Sequence, residues 1–385
     1  MRLSIAIALA LTLSSGAASA AQPLRLAGAR DQAPARLVAL PAPAAQIERK
    51  PVSFSWKLDP TQSLATPAPY VAESREYWQT VDAAALQNGV QLKMSSAGSL
   101  IRVSPLSGAR KLDERALQIR DAHGAAELQG IASAKQLAAA GMDVQDGTLV
   151  AKLSPREGAD TYTLQAKGAQ GRYLVHVFEP LSSDVLRAAT DRQHALAGDR
   201  IRLDVDFAKA GKRADAMQAE ALLVAPDGRS WPVAMKGSSV DVQLPRDVGS
   251  APGLWELQVF ASADGVQRDA RTAFAVAAPT ARFNGVFAFN AKTMRMALPV
   301  QAGSTGRYEA RGTLFATGPD GTMHPVSEAH SANWMKRGNG MLVLQFDRSH
   351  VPAGYGAPFE VRQLELNDQS RMAPLESRER TGVAR

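Results

Sequence analysis

The octet PDGRSWPV at residues 226–233 returns as PDGTMHPV at 319–326, and each copy stands between runs of apolar, strand-like residues. Proline presets φ near −65° at the start of such a turn, aspartate accepts backbone hydrogen bonds just beyond it, and glycine takes the conformation other residues resist. The octet is therefore read as a turn between two strands. Because it occurs twice, it marks a module that occurs twice.

At the same offset, Ile201–Phe207 falls on Met294–Val300, with apolar positions 201, 203, 205 and 207 landing on 294, 296, 298 and 300. Alternation of period two is the signature of a strand with one buried face. Further along, VDVQL at 240–244 matches LVLQF at 342–346, and WEL at 255–257 matches FEV at 359–361, so the second copy carries about ten extra residues around HSANWMKRGNG. Each copy closes in a hairpin, the first turning at Asp264-Gly265 and the second near Asn367-Asp368. A module of about a hundred residues, with roughly seven short strands and almost no helical periodicity, is expected to be an immunoglobulin-like sandwich. The boundaries follow as 181–279 and 280–385, with the joint at AAPT, residues 277–280.

Residues 51–180 are of a different kind. Strand-like pieces such as VSFSW at 52–56 and RYLVHVF at 172–178 alternate with two helical patterns, Ser74–Gln87 and Ser133–Ala140. The expectation is a β-rich N-terminal domain with short helices. The whole chain is thus mainly β: this domain, then two tandem immunoglobulin-like β-sandwiches.

Ahead of them, residues 21–50 are dominated by Ala, Pro and Arg and read as a linker. The first twenty residues, MRLSIAIALALTLSSGAASA, have the order of a secretory signal peptide: a basic residue, a short apolar run and small residues before Ala21. That predicts a periplasmic or secreted protein. A chain with no cysteine excludes disulfides, thiolate metal sites and cysteine nucleophiles together. The formal charge of +7 is spread over single Lys and Arg residues, and export argues against nucleic acid. A protein or an anionic envelope polymer is the expected partner, with no membrane span, and a monomer is expected.

Catalytic and metal templates fail. There is no Gly-x-Ser-x-Gly, no His-Glu-x-x-His, no phosphate loop and no EF-hand pattern, so neither cofactor nor metal is expected. If the chain is nevertheless an enzyme, a hydrolase sited in 51–180 is the alternative, with Glu73, Glu76, Asp121 and His123 as its acid, base or ligand groups. For binding, Trp334 with Lys336 and Arg337 is preferred, because it lies in the insertion where the copies diverge. Trp255 occupies the place of Phe359 and reads as core, whereas Trp231 answers to His324 and reads as rim.

The stretches ESREYW at 73–78, GVQLKMSSAGSLIRVSP at 89–105, GRYLVHVFEP at 171–180 and APFEVRQLELND at 357–368 resemble a family of uncharacterised exported bacterial proteins that carries a domain-of-unknown-function label. The resemblance implies an N-terminal domain followed by immunoglobulin-like modules, in exported proteins of Gram-negative bacteria. It implies no catalytic residues.

Overall fold

In a computed structural model, residues 22–23, 28, 31–44, 47–64, 68–249 and 251–384 are described. The signal-peptide segment 1–20 lies outside the described residues. The chain is mainly β, and it divides into two compact units, one formed by Pro67–Ala277 and the other by residues up to Thr66 together with Ala278–Arg385.

Within Pro67–Ala277, the first domain packs a five-stranded antiparallel sheet, ordered Glu76–Asp82, Arg172–Phe178, Leu100–Pro105, Leu149–Leu153 and Leu128–Ser133, against a three-stranded one of Val90–Met94, Asp160–Ala166 and Leu117–Arg120. Alternate residues of both sheets, among them Tyr77, Leu92, Ile101, Val103, Leu164, Val175 and Val177, form one buried core. The second domain of this unit is a sandwich whose core includes Leu203, Val205, Phe207, Leu223, Trp255, Leu257 and Phe274.

The duplicated turn connects equivalent strands. In the first copy Gln218–Val224 turns at Gly228, φ 85°, into Ser230–Val233; in the second Gly306–Thr317 turns at Gly321, φ 74°, into Met323–Met335. Asp227 and Asp320 each accept a main-chain N–H two residues on, from Arg229 at 3.1 Å and Thr322 at 3.0 Å. Strand for strand, Trp255–Ala263 and Val266–Ala277 answer to Gly356–Asp368 and Ala373–Ala384.

One expectation needs correction, and two segments find partners that no local pattern announces. Ser74–Gln87 is not a helix: Val71–Ser74 and Glu76–Asp82 are strands, and only Ala83–Asn88 is helical, capped by the Asp82 side chain. The stretch EYWQTV is aromatic and β-branched, and Tyr77 and Val81 are buried opposite Val177 and Tyr173, so the pleat overrides the apparent helical spacing. The alternation also breaks at Arg75, because the chain there leaves the sandwich sheet, where Val71–Ala72 and Glu73–Ser74 pair with Leu186–Ala189, and enters the sheet of the first domain. The strand Val52–Lys57, assigned by sequence to the N-terminal domain, pairs with Ser327–Ala332 of the C-terminal module. The Ala/Pro-rich segment is tied down along that same module. The Gln32 side chain donates to the carbonyls of Pro374 and Leu375, Val38 N–H donates to Pro279 O at 2.9 Å, and Leu40 N–H donates to Ser304 Oγ at 2.9 Å. A segment without periodicity of its own is ordered here by partners on another element.

The second predicted helix forms at Ala134–Ala139, with Gln136 Oε1 accepting the Ser133 N–H at 2.7 Å.

Candidate functional site

VSFSWK alternates small polar with apolar residues, so one face of its strand is hydrophobic. In the five-stranded sheet of the C-terminal module this strand is outermost, followed by Met323–Met335, Gly306–Thr317, Gly356–Asp368 and Ala373–Ala384. Its far side pairs with no strand among the described residues. Ordinarily an apolar strand at an edge is covered or charged, because its free N–H and C=O groups invite another chain. Here Val52, Phe54 and Trp56 stay 39%, 48% and 41% exposed.

Those rings are organised rather than loose. The Phe54 and Trp56 centroids lie 5.6 Å apart, and the His330 ring stacks on Phe54 at 5.1 Å with planes 6° apart and meets Trp56 in a tilted contact at 4.8 Å and 31°. His330 cannot turn, since Nδ1 meets Glu309 Oε1 at 2.6 Å and Nε2 meets Glu328 Oε1 at 3.0 Å. On the opposite face of the strand, Ser55 Oγ accepts the Asp347 N–H at 3.2 Å. The chain entering the strand is clamped as well: Arg307 donates to the carbonyls of Glu48 and Lys50 at 2.7 and 2.9 Å. The result is a rigid open edge bearing an apolar ridge.

The extra residues of the second copy lengthen the hairpin of Met323–Met335 and Gly338–Gln345, and the longer strand is what the Val52–Lys57 segment pairs with. Trp334 lies at its end, half-buried, with the Arg49 guanidinium 4.6 Å from the ring centroid, so the cation on this aromatic comes from the chain itself. Lys336 and Arg337 are exposed in the turn that follows. Trp231 is not a free rim residue, for it stacks on the core residue Trp255 at 5.7 Å.

Glu73 and Glu76 do not face each other on a helix. Glu73 accepts from Arg187 Nε at 2.8 Å, and this bond holds its carboxyl below the ordinary range. Glu76 meets His176 Nε2 at 2.8 Å, and the same effect lowers its carboxyl. Asp121 does not approach the His123 ring; its Oδ1 accepts the main-chain N–H groups of His123 and Gly124 at 2.7 and 2.8 Å, which makes it a turn residue. Among the described residues no three His, Asp or Glu side chains converge as a metal site would require. Three of the four hydrolase candidates thus have structural partners, and the structure adds His176 to the Glu76 neighbourhood. Sequence reasoning passed over Phe54, Trp56 and His330, although the alternation in VSFSWK was a signal for the strand itself.

The family model described as the N-terminal domain of a domain of unknown function, DUF4785, matches residues 43–179, and the model for its C-terminal domain matches 280–382. The chain belongs to this family. A solved DUF4785 family protein from Legionella pneumophila is similar over 91% of this chain and 98% of its own length, with 18% identity and a TM-score of 0.70, which shows a common fold. Far weaker likenesses reach Escherichia coli alpha-2-macroglobulin, with 14% identity over 74% of this chain and 29% of that one and a TM-score of 0.22, and the Escherichia coli adhesin FdeC, with 16% identity over 82% and 99% and a TM-score of 0.20. At such scores neither bears on this DUF4785 protein's fold or function. No curated protein matches the sequence. No helix among the described residues is long and apolar enough to cross a membrane.

Proposed function

We propose that this DUF4785 protein is an exported, non-catalytic binding protein that takes hold of an extended segment of a partner polypeptide by strand addition. The observation that supports this reading is the unpaired Val52–Lys57 edge with Phe54 and Trp56 half-exposed on it. An added strand would satisfy the free main-chain groups of the edge, and its alternate side chains would lie against Phe54 and Trp56. The signal-peptide pattern at 1–20 supports export.

The test places a photo-crosslinking residue at position 54 of the full chain, with a control at the exposed Lys167, and follows amide exchange in the captured complex. A polypeptide adduct specific to position 54, protection of the amides of 52–57 in the complex, and loss of both in a Phe54→Ala/Trp56→Ala variant are expected. Capture of a polysaccharide in place of a polypeptide, or a complex without protection at 52–57, overturns it.

A further inference from the structure

In the Pro67–Ala277 unit, the strands Gln218–Val224, Trp255–Ala263 and Val266–Ala277 set Glu220, Phe260 and Asp269 side by side on the outer face of the sandwich sheet, since Glu220 pairs with Phe260 and Phe260 with Asp269. Outer-face positions on the last of these strands are exposed at Gln267, Arg271 and Ala273, yet Asp269 is only 7% exposed. The cause is the strand Glu76–Asp82, which lies across it: Trp78 donates its main-chain N–H to Asp269 Oδ2 at 2.9 Å. A cleft of about 680 Å³ remains beside this contact, bounded by Trp78, Phe260, Met217, Met235, Glu220 and Asp269.

Asp269 Oδ2 accepts the Trp78 N–H, and no donor among the described residues reaches Oδ1, which is not among the atoms sealed from solvent and so remains open to a partner entering the cleft. No neighbouring cation hydrogen-bonds to the carboxylate among the described residues, although the Arg271 charge is close enough to favour its ionised form. The Arg271 guanidinium stacks on Trp78, 4.5 Å from the ring centroid. His176 is bonded to Glu76 and presents its edge to Trp78 at 5.4 Å. Arg268, on the opposite face of the strand, is committed to Glu179, Ser95 and Ser182. Glu220 at the rim adds a second negative charge. Removed from water, a carboxylate is favoured by an incoming cation, and the walls supplied by an indole, a phenyl ring and two thioethers suit an aliphatic stem with a positive end.

We propose that this cleft binds a ligand carrying an ammonium or guanidinium group on an aliphatic stem, with Asp269 as its ion-pair partner and Trp78 and Phe260 as its walls. The site is separate from the strand edge, so either reading can fail without the other. The ligand is a free amine or a lysine or arginine side chain of a polypeptide, and the probes separate these sources.

The full chain is titrated calorimetrically at neutral pH with n-hexylamine, agmatine, the peptide acetyl-Ala-Lys-Ala-amide and hexan-1-ol as the uncharged control. At least one cationic probe is expected to bind about tenfold or more tighter than the alcohol. Asp269→Asn keeps an acceptor for the Trp78 N–H and should bring that probe to the level of the alcohol. Gln267→Trp, at an exposed position on the cleft wall, should block binding without touching Asp269. Tighter binding of the peptide assigns the site to a polypeptide side chain, and tighter binding of the free amines to a small molecule. Cations and alcohol binding alike, or cation affinity unchanged from wild type in folded Asp269→Asn and Gln267→Trp proteins, overturns the proposal.

Discussion

Burial disfavours the ionised form of the Asp269 carboxyl and pushes its pKa up to about 6 from an ordinary 3.8. The acid is therefore easier to protonate folded than unfolded, and its contribution to stability is fully present below the unfolded pKa and lost as pH rises through the folded one. A shift of this size costs about 3 kcal/mol at neutral pH relative to acid. Chemical denaturation of the wild type and of Asp269→Asn from pH 4 to 7 should show the wild type losing up to about that amount relative to the variant; parallel curves would refute the assignment. Glu76 acts in the opposite sense. Its carboxyl is lowered by the hydrogen bond with His176, so the stability it contributes is present above the unfolded pKa and lost as pH falls through the folded one. Neither behaviour is legible in the residues themselves. Asp269 sits in the alternating stretch VQRDARTAFAV at a position that reads as outward, and only the strand from the other domain takes it out of water.

The elements divide by how locally they are specified. The PDG turns, the Asp264-Gly265 hairpin with Asp264 at φ 48° and Gly265 at φ 81°, and the helix after Ser133 follow from a few adjacent residues and were readable as such. The Glu73–Trp78 stretch was misread because its apolar spacing fits a helix as well as two strands in different sheets, and nothing short of the partner strands decides between them. The Val52–Lys57 strand is legible as a strand, but its partner lies at residues 327–332, far along the chain, and no local pattern carries that pairing. In an antiparallel pair inward and outward N–H groups alternate, so one of Phe54 and Ser55 donates toward the neighbouring strand. Phe54→Pro/Ser55→Pro should release the segment and raise limited proteolysis within residues 51–64 by about tenfold or more, while the strands beyond it stay protected. Unchanged cleavage would show that the segment is held mainly by its side chains and by the Arg307 clamp.

At the scale of the molecule, the two domains of Pro67–Ala277 are joined through a fully buried ion pair. Arg268 meets Glu179, whose Oε1 also accepts the Ser95 and Ser96 N–H groups, while Arg268 Nε donates to Asp184 O at 3.0 Å. Both side chains are 0% exposed, so removing one strands the other's charge away from water. Arg268→Met should cost about 3–5 kcal/mol, and adding Glu179→Gln should recover part of it, because the double variant leaves no unpaired ion. Differential scanning calorimetry of the full chain reads both effects; a single variant no less stable than the double one would contradict this account.

The sequence by itself determined that the chain is mainly β, that one module occurs twice, and where its turns fall, because strand periodicity and turn chemistry reside in neighbouring residues. Tertiary structure alone decided that an Ala/Pro-rich leader is bound along the C-terminal module, that Phe54 and Trp56 form an open edge, and that Asp269 is buried beside a cleft. Each of these depends on a partner brought from a distant part of the chain, and exposure is a property of what lies across a residue, which its neighbours in sequence do not carry.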